Sequence, residues 1–243
     1  MPPRPSPTHF LCIPLVTATS RQQLSSSLSS FRADVTSLES FGVPDQAIRP
    51  IGTLHLTLGV MSFPKNEGLE KAVALLKTII PRQILADIAA PHSDQQAAEG
   101  EGLSDPPSPL VVTLKGLHSM QSATKASVLY APPVDSGVLT KFCEKLRSAF
   151  QEVGLMMEDS RPLLLHATIL NTIYAKEKSI GRGGKGKSRE KLTIDARQIL
   201  DRYDDYLWMD GVPIEKIAIC RMGAKKQDNG DEAYEIEAEI DVT

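Results

Sequence analysis

The chain has 243 residues and a mass of 26.5 kDa, enough for one large domain or two small ones with a buried core. Hydrophobic residues at 41% and charged residues at 23% exclude the collagen-like, coiled-coil and wholly disordered classes. A net charge of −3 and a pI near 6.0 exclude the molecule-wide basic field of a nucleic-acid coat protein, though a local basic patch is compatible with both.

Residues 1–7 read as a disordered tail. Phe10–Val16 reads as a strand; it is too short, and holds Pro14, to be the apolar part of a signal peptide. Nothing approaches the roughly 18 apolar residues of a membrane span. Leu24, Leu28, Phe31, Val35, Leu38 and Phe41 then recur at steps of four and three. They predict one amphipathic helix with Ser20 as N-cap and Gly42 just past its end. A strand over Thr53–Met61 follows, then a helix near Glu67–Ile80 that Pro81 stops. Residues 91–109 carry four prolines and hardly any large apolar side chain, as a flexible insertion would.

The second half repeats that order. Leu110–Lys115 and Ser127–Tyr130 read as strands around a turn. Val138, Leu139, Phe142, Leu146, Ala149, Phe150 and Val153 mark one face of a helix closed by Gly154. Leu163–Thr172 reads as a strand, and a Gly/Lys-rich loop at 176–191 leads to a helix capped by Asp195. The acidic run Asp201–Asp210 is read as the solvent-facing side of that helix. Strands at Lys216–Arg221 and Tyr234–Ile240 close the chain. The duplicated strand–helix–strand–helix order predicts an α+β fold of two similar lobes.

The three cysteines, Cys12, Cys143 and Cys220, form no C-x-x-C pair and lie in apolar runs. They read as small buried hydrophobes in a reducing, intracellular setting, nuclear or cytoplasmic.

Among five histidines, two occur in matched contexts: LHLTLGV at His55 and LHATILN at His166, 111 residues apart. Five histidines and 14 threonines would give only about 0.3 His-x-Thr matches by chance. In a strand, residues i and i+2 share a face, so His55 projects with Thr57 and His166 with Thr168. Leu54, Leu56 and Leu58, and Leu165, Ala167 and Ile169, then face the core. Packed about a pseudo-twofold, the lobes would bring both imidazoles to one groove. Histidine titrates nearest neutrality, so one can act as base and the other as acid, with threonine hydroxyls donating to phosphate oxygens. Such a site needs no metal and no cofactor. The bland alternative is that each His-x-Thr only fills space in a strand.

These two motifs, with HFLCIPL, LKGLHSMQ, ASVLYAPP, IDARQIL and the closing IEKIAICRMG and YEIEAEI, resemble the 2H phosphoesterase superfamily. The similarity is to the branch holding the central domain of A-kinase anchor protein 7 and the C-terminal domain of activating signal cointegrator 1 complex subunit 1. The resemblance runs over residues 8–243 and implies a single bilobal, LigT-like domain. Two pseudo-symmetric lobes, with antiparallel-type sheets, would line a central cleft. It implies RNA ends or nucleotide 2′,3′-cyclic or related phosphodiesters as substrates, with His55 and His166 as the catalytic pair and Thr57 and Thr168 binding phosphate. The alternative within the same branch is a nucleotide- or RNA-binding module of a transcription-coactivator or repair complex, with little or no turnover. A monomer without membrane attachment is expected. No KH domain is expected ahead of the first strand, which begins near residue 9.

The remaining candidates are weaker. Residues 176–191 hold seven basic and two acidic side chains, either a guide for an RNA backbone or a solvated connector. His9 and His118 read as structural or exposed, and His92 falls in the insertion. No H-E-x-x-H, P-loop or G-x-S-x-G pattern supports metal, nucleoside-triphosphate or serine-hydrolase chemistry.

Overall fold

The computed structural model describes residues 5–90, 109–175, 192–228 and 230–242. The insertion at 91–108 and the basic loop at 176–191 lie outside the described residues.

Strand β1 (His9–Pro14) is apolar at nearly every position and almost wholly buried, as a strand inside a sheet must be. It pairs antiparallel with β2 (His55–Met61) on one side and with β9 (Lys216–Arg221) on the other. After β9 the short strands β10 (Lys225–Lys226) and β11 (Glu232–Ala233) form a hairpin, and β12 (Ile236–Asp241) returns to lie outside β9, giving the order β12-β9-β1-β2. The other lobe holds two three-stranded sheets. One is built from β4 (His118–Ser119), β5 (Val128–Ala131) and β7 (Ala167–Asn171). In the other, β3 (Val111–Lys115) lies between β6 (Pro133–Val134) and β8 (Leu207–Pro213). The chain's halves are therefore not its lobes, because the C-terminal strands return to complete the first sheet. Nor do 110–115 and 127–130 form a hairpin, since they belong to different sheets.

The helices cross over as well. Helix α1 (Arg21–Thr36) packs on β8 of the second lobe, where Ser27 donates to the Trp208 carbonyl at 2.9 Å. Helix α4 (Val138–Glu152) packs on β2 of the first, and α2 (Leu69–Thr78) on β12. One continuous apolar core results, with Phe31, Leu56, Phe142, Phe150 and Trp208 fully buried.

Several expectations need correction. Helix α1 ends at Thr36, and Leu38, counted on its apolar face, is 93% exposed. Ser37 has left helical geometry, and its carbonyl accepts the N–H groups of Ser40, Phe41 and Gly42, so a compact turn replaces the last predicted helical turn. Ser20 does not cap: its hydroxyl donates to the Leu15 carbonyl at 2.6 Å and accepts from the Thr17 N–H. Pro81 follows α2 and also opens a further helix, α3 (Pro81–Ala89), at the first-turn position where its missing N–H costs nothing. On α4, Val138 and Val153 sit at the exposed margins while Cys143 is buried. Only the first two residues of the acidic run are helical. The helix there, α5 (Arg197–Arg202), is short, and Leu207–Asp210 enter β8, where the Trp208 indole donates to the Gly116 carbonyl at 2.8 Å. All three cysteines are buried thiols as expected.

Candidate active site between two His-x-Thr strands

The two His-x-Thr segments lie at the margins of their sheets, and strands β2 and β7 are in contact. Each is supported from the opposite lobe. The Arg49 N–H, six residues ahead of His55, donates to the Ile169 carbonyl in β7 at 2.9 Å. Reciprocally, the Met157 N–H, nine residues ahead of His166, donates to the Val60 carbonyl in β2 at 2.9 Å. These crossed bonds tie the two segments together edge to edge.

The local geometry repeats too. Along β2 the register skips Leu58, between the pairs Leu11–Gly59 and Cys12–Thr57. Along β7 it skips Ile169, between Leu129–Leu170 and Tyr130–Thr168. A bulge thus falls one residue past the threonine in both strands, where a bulge re-aims neighbouring side chains. Leu54, Leu56 and Leu58, and Leu165, Ala167 and Ile169, are buried, and His55, Thr57, His166 and Thr168 are half-exposed, as the alternation predicts.

One difference from expectation is positional. His55 is the first residue of β2, whereas His166 lies one residue ahead of β7. The register would oppose it to Pro132, which has no N–H to give, so the ladder stops short.

Each imidazole is held by the same bond. His55 Nδ1 is 2.7 Å from the Thr53 carbonyl oxygen, and His166 Nδ1 is 2.8 Å from that of Leu164. A carbonyl only accepts, so Nδ1 carries the proton and Nε2 keeps its lone pair. Among the described residues, neither Nε2 nor the hydroxyls of Thr57 and Thr168 have a protein hydrogen-bond partner.

The surroundings then diverge. His55 sits against Phe10 (ring centroids 4.8 Å) and edge-on to Tyr234 (5.2 Å), lining a cavity of about 320 Å³. Burial pushes its pKa down to about 4; the positive charges of His166 and Arg49 add to the shift, and the Thr53 carbonyl opposes it. His166 meets one ring, Tyr130, at 5.4 Å. Its pKa is also lowered by burial, against the bond to Leu164. The sequence reading missed Arg49, Tyr234 and Tyr130. They come from separate elements, and no spacing pattern links them to the motifs. Among the described residues, no group of three or more His, Cys, Asp or Glu side chains is gathered as metal ligands would be.

Antiparallel sheets from two lobes, meeting along paired His-x-Thr strands, form the α+β architecture of LigT-like 2H phosphoesterases. Escherichia coli LigT, in a structure with 3′-AMP, superposes with a TM-score of 0.51 at 16% identity over 98% of both chains. TT0787 of Thermus thermophilus does so with a TM-score of 0.52 at 14% identity over 97% of both. Within that class the chain belongs to the family of the AKAP7 2′5′ RNA ligase-like domain, whose model matches residues 7–242. An uncharacterized protein of Schizosaccharomyces pombe is 26% identical over 171 residues, 70% of this chain and 68% of that one. Mouse activating signal cointegrator 1 complex subunit 1 is 24% identical over 164 residues, 63% of this chain but only 41% of the mouse protein.

Proposed function

We propose that the protein is a metal-independent phosphodiesterase acting on RNA ends or on nucleotide 2′,3′-cyclic or related phosphodiesters. The observation that carries this reading is the pair of imidazoles, each with Nδ1 bonded to the carbonyl two residues earlier and Nε2 left to act. His55 is the base: burial and the adjacent Arg49 charge keep it neutral, with an available lone pair. His166 is the acid: burial lowers its pKa with no neighbouring cation adding to the shift, and it gains its proton as the phosphate's negative charge arrives. The base takes a proton from the attacking hydroxyl or water, and the acid delivers one to the leaving oxygen, so no net proton is consumed. Thr57 and Thr168 donate to the non-bridging oxygens and hold the phosphorus between the rings. LigT's structure with 3′-AMP and the phosphoesterase fold support a nucleotide in this cleft.

The second reading is a nucleotide- or RNA-binding module within a transcription-coactivator or repair complex; the partial match to the cointegrator subunit favours it. The deciding experiment incubates the protein with 2′,3′-cyclic nucleotides and short RNA oligomers in the presence of EDTA. Turnover that survives the chelator is expected. Binding without turnover across the whole panel would favour the module, and turnover that needs an added divalent metal would remove the two-histidine mechanism.

A further inference from the structure

Next to the His55 cavity lies a larger one of about 940 Å³, a size suited to a small organic ligand. Arg49 lines it and is only 4% exposed. Its side chain touches two aromatic residues: the guanidinium lies 4.0 Å over the Tyr174 ring, and Nη2 donates to the Tyr234 hydroxyl at 3.4 Å. Among the described residues no carboxylate pairs with it, whereas Arg32, Arg161, Arg197, Arg202 and Arg221 each have one within reach. An unpaired buried guanidinium is costly, and contact with aromatic rings offsets only part of that cost. Two of the three carboxylates on the same walls are held by other partners, and the third lies opposite a lysine. Asp45 pairs with Arg32, Asp231 accepts the N–H groups of Gly52 and Glu232, and Glu232 faces Lys226 across a short hairpin.

We infer that this cavity is a second anion subsite, in which Arg49 takes a phosphate flanking the scissile one and Tyr174 stacks the adjoining base. The inference rests on the phosphodiesterase reading and narrows it to substrates longer than a mononucleotide. One ring, Tyr234, links the two places: its hydroxyl accepts from Arg49, and its ring packs edge-on against His55. Tyr174 is 45% exposed although one face covers Arg49, which leaves ring surface for a base.

The test measures binding of two probes by calorimetry, in a His166→Ala background so that neither is consumed. One probe is a dinucleoside monophosphate and the other is the same molecule with an added terminal phosphate. The added phosphate is expected to tighten binding about tenfold or more, the scale of a charge-assisted contact. Arg49→Met should abolish that increment. Arg49→Lys, which keeps the buried charge and so guards against misfolding, should reduce it, because a lysine cannot present a fork. Tyr174→Ala should weaken both probes alike. An increment that survives Arg49→Met, or none in the parent, overturns the subsite. Loss of the subsite alone would leave diester turnover by the wild-type protein intact. If the wild-type protein turned over no diester and the parent bound neither probe, the phosphodiesterase reading would fall with it.

Discussion

The His55 and His166 segments are near copies in sequence and in backbone, yet they are not equivalent sites. Both have the carbonyl bond to Nδ1, the threonine two residues on and the bulge after it. Around His55, however, the chain gathers Phe10, Tyr234 and a buried arginine. Around His166 it leaves one tyrosine and more solvent. A pseudo-twofold built by duplication gives two identical side chains. The proposed acid–base chemistry needs two different protonation states, and the unequal surroundings of the two rings are what would supply the difference.

The largest expected effect tests whether both histidines act. His55→Ala and His166→Ala should each lower kcat by about 10²–10⁴-fold, and the double variant by little more than the worse single one. Near-native turnover in either single variant would break the two-histidine mechanism. Next in size are the hydroxyls. Thr57→Val and Thr168→Val keep the shape and remove one donor each, so kcat/KM should fall about 10–100-fold in both, the scale of a hydrogen bond to a charged group. Loss from only one would show that phosphate binding does not share the symmetry of the backbone.

The pH profile sharpens the comparison further. On the proposed roles, the productive form of the free protein has neutral His55 and protonated His166. With His55 near 4 and His166 below its ordinary 6.5, kcat/KM should peak on the acid side of neutrality. Above the His166 value it should fall about tenfold per pH unit. The kcat profile should extend to higher pH, because bound phosphate raises the acid's pKa. A kcat/KM plateau reaching pH 8 would remove the two histidines as the acid–base pair.

The smallest effect is on stability. His9, His55 and His166 all have folded-state values below 6.5, so the unfolded chain binds protons more readily. Their contribution is complete above pH 6.5 and is lost as pH falls toward the folded values. Thermal melts between pH 7 and pH 4.5 should show Tm dropping by several degrees. His55→Gln should flatten that slope more than His166→Gln, because His55 carries the larger shift.

Much of this was legible in the chain itself. The duplicated His-x-Thr motif marked the two strands because period-two alternation must place histidine and threonine opposite the buried aliphatics. The apolar stripes on α1 and α4 marked helices because those faces have to be buried, and their buried centres were right even where their margins were not. Leu38 and the acidic run misled for one reason: local periodicity cannot see a turn or a strand partner elsewhere in the chain. Trp208 is strand because β3 and the Gly116 carbonyl receive it, more than 90 residues away.

The sequence by itself determined the α+β class, the motif pair and the faces on which the four site residues lie, because each follows from short-range spacing. The tertiary structure decided which strands share a sheet, how each lobe braces the other's His-x-Thr segment, and which histidine is the more deeply desolvated. Those outcomes depend on burial and Coulomb interactions among residues brought together only by the fold. Arg49 donates to the Tyr234 hydroxyl from 185 positions away, and no pattern along the chain records that meeting.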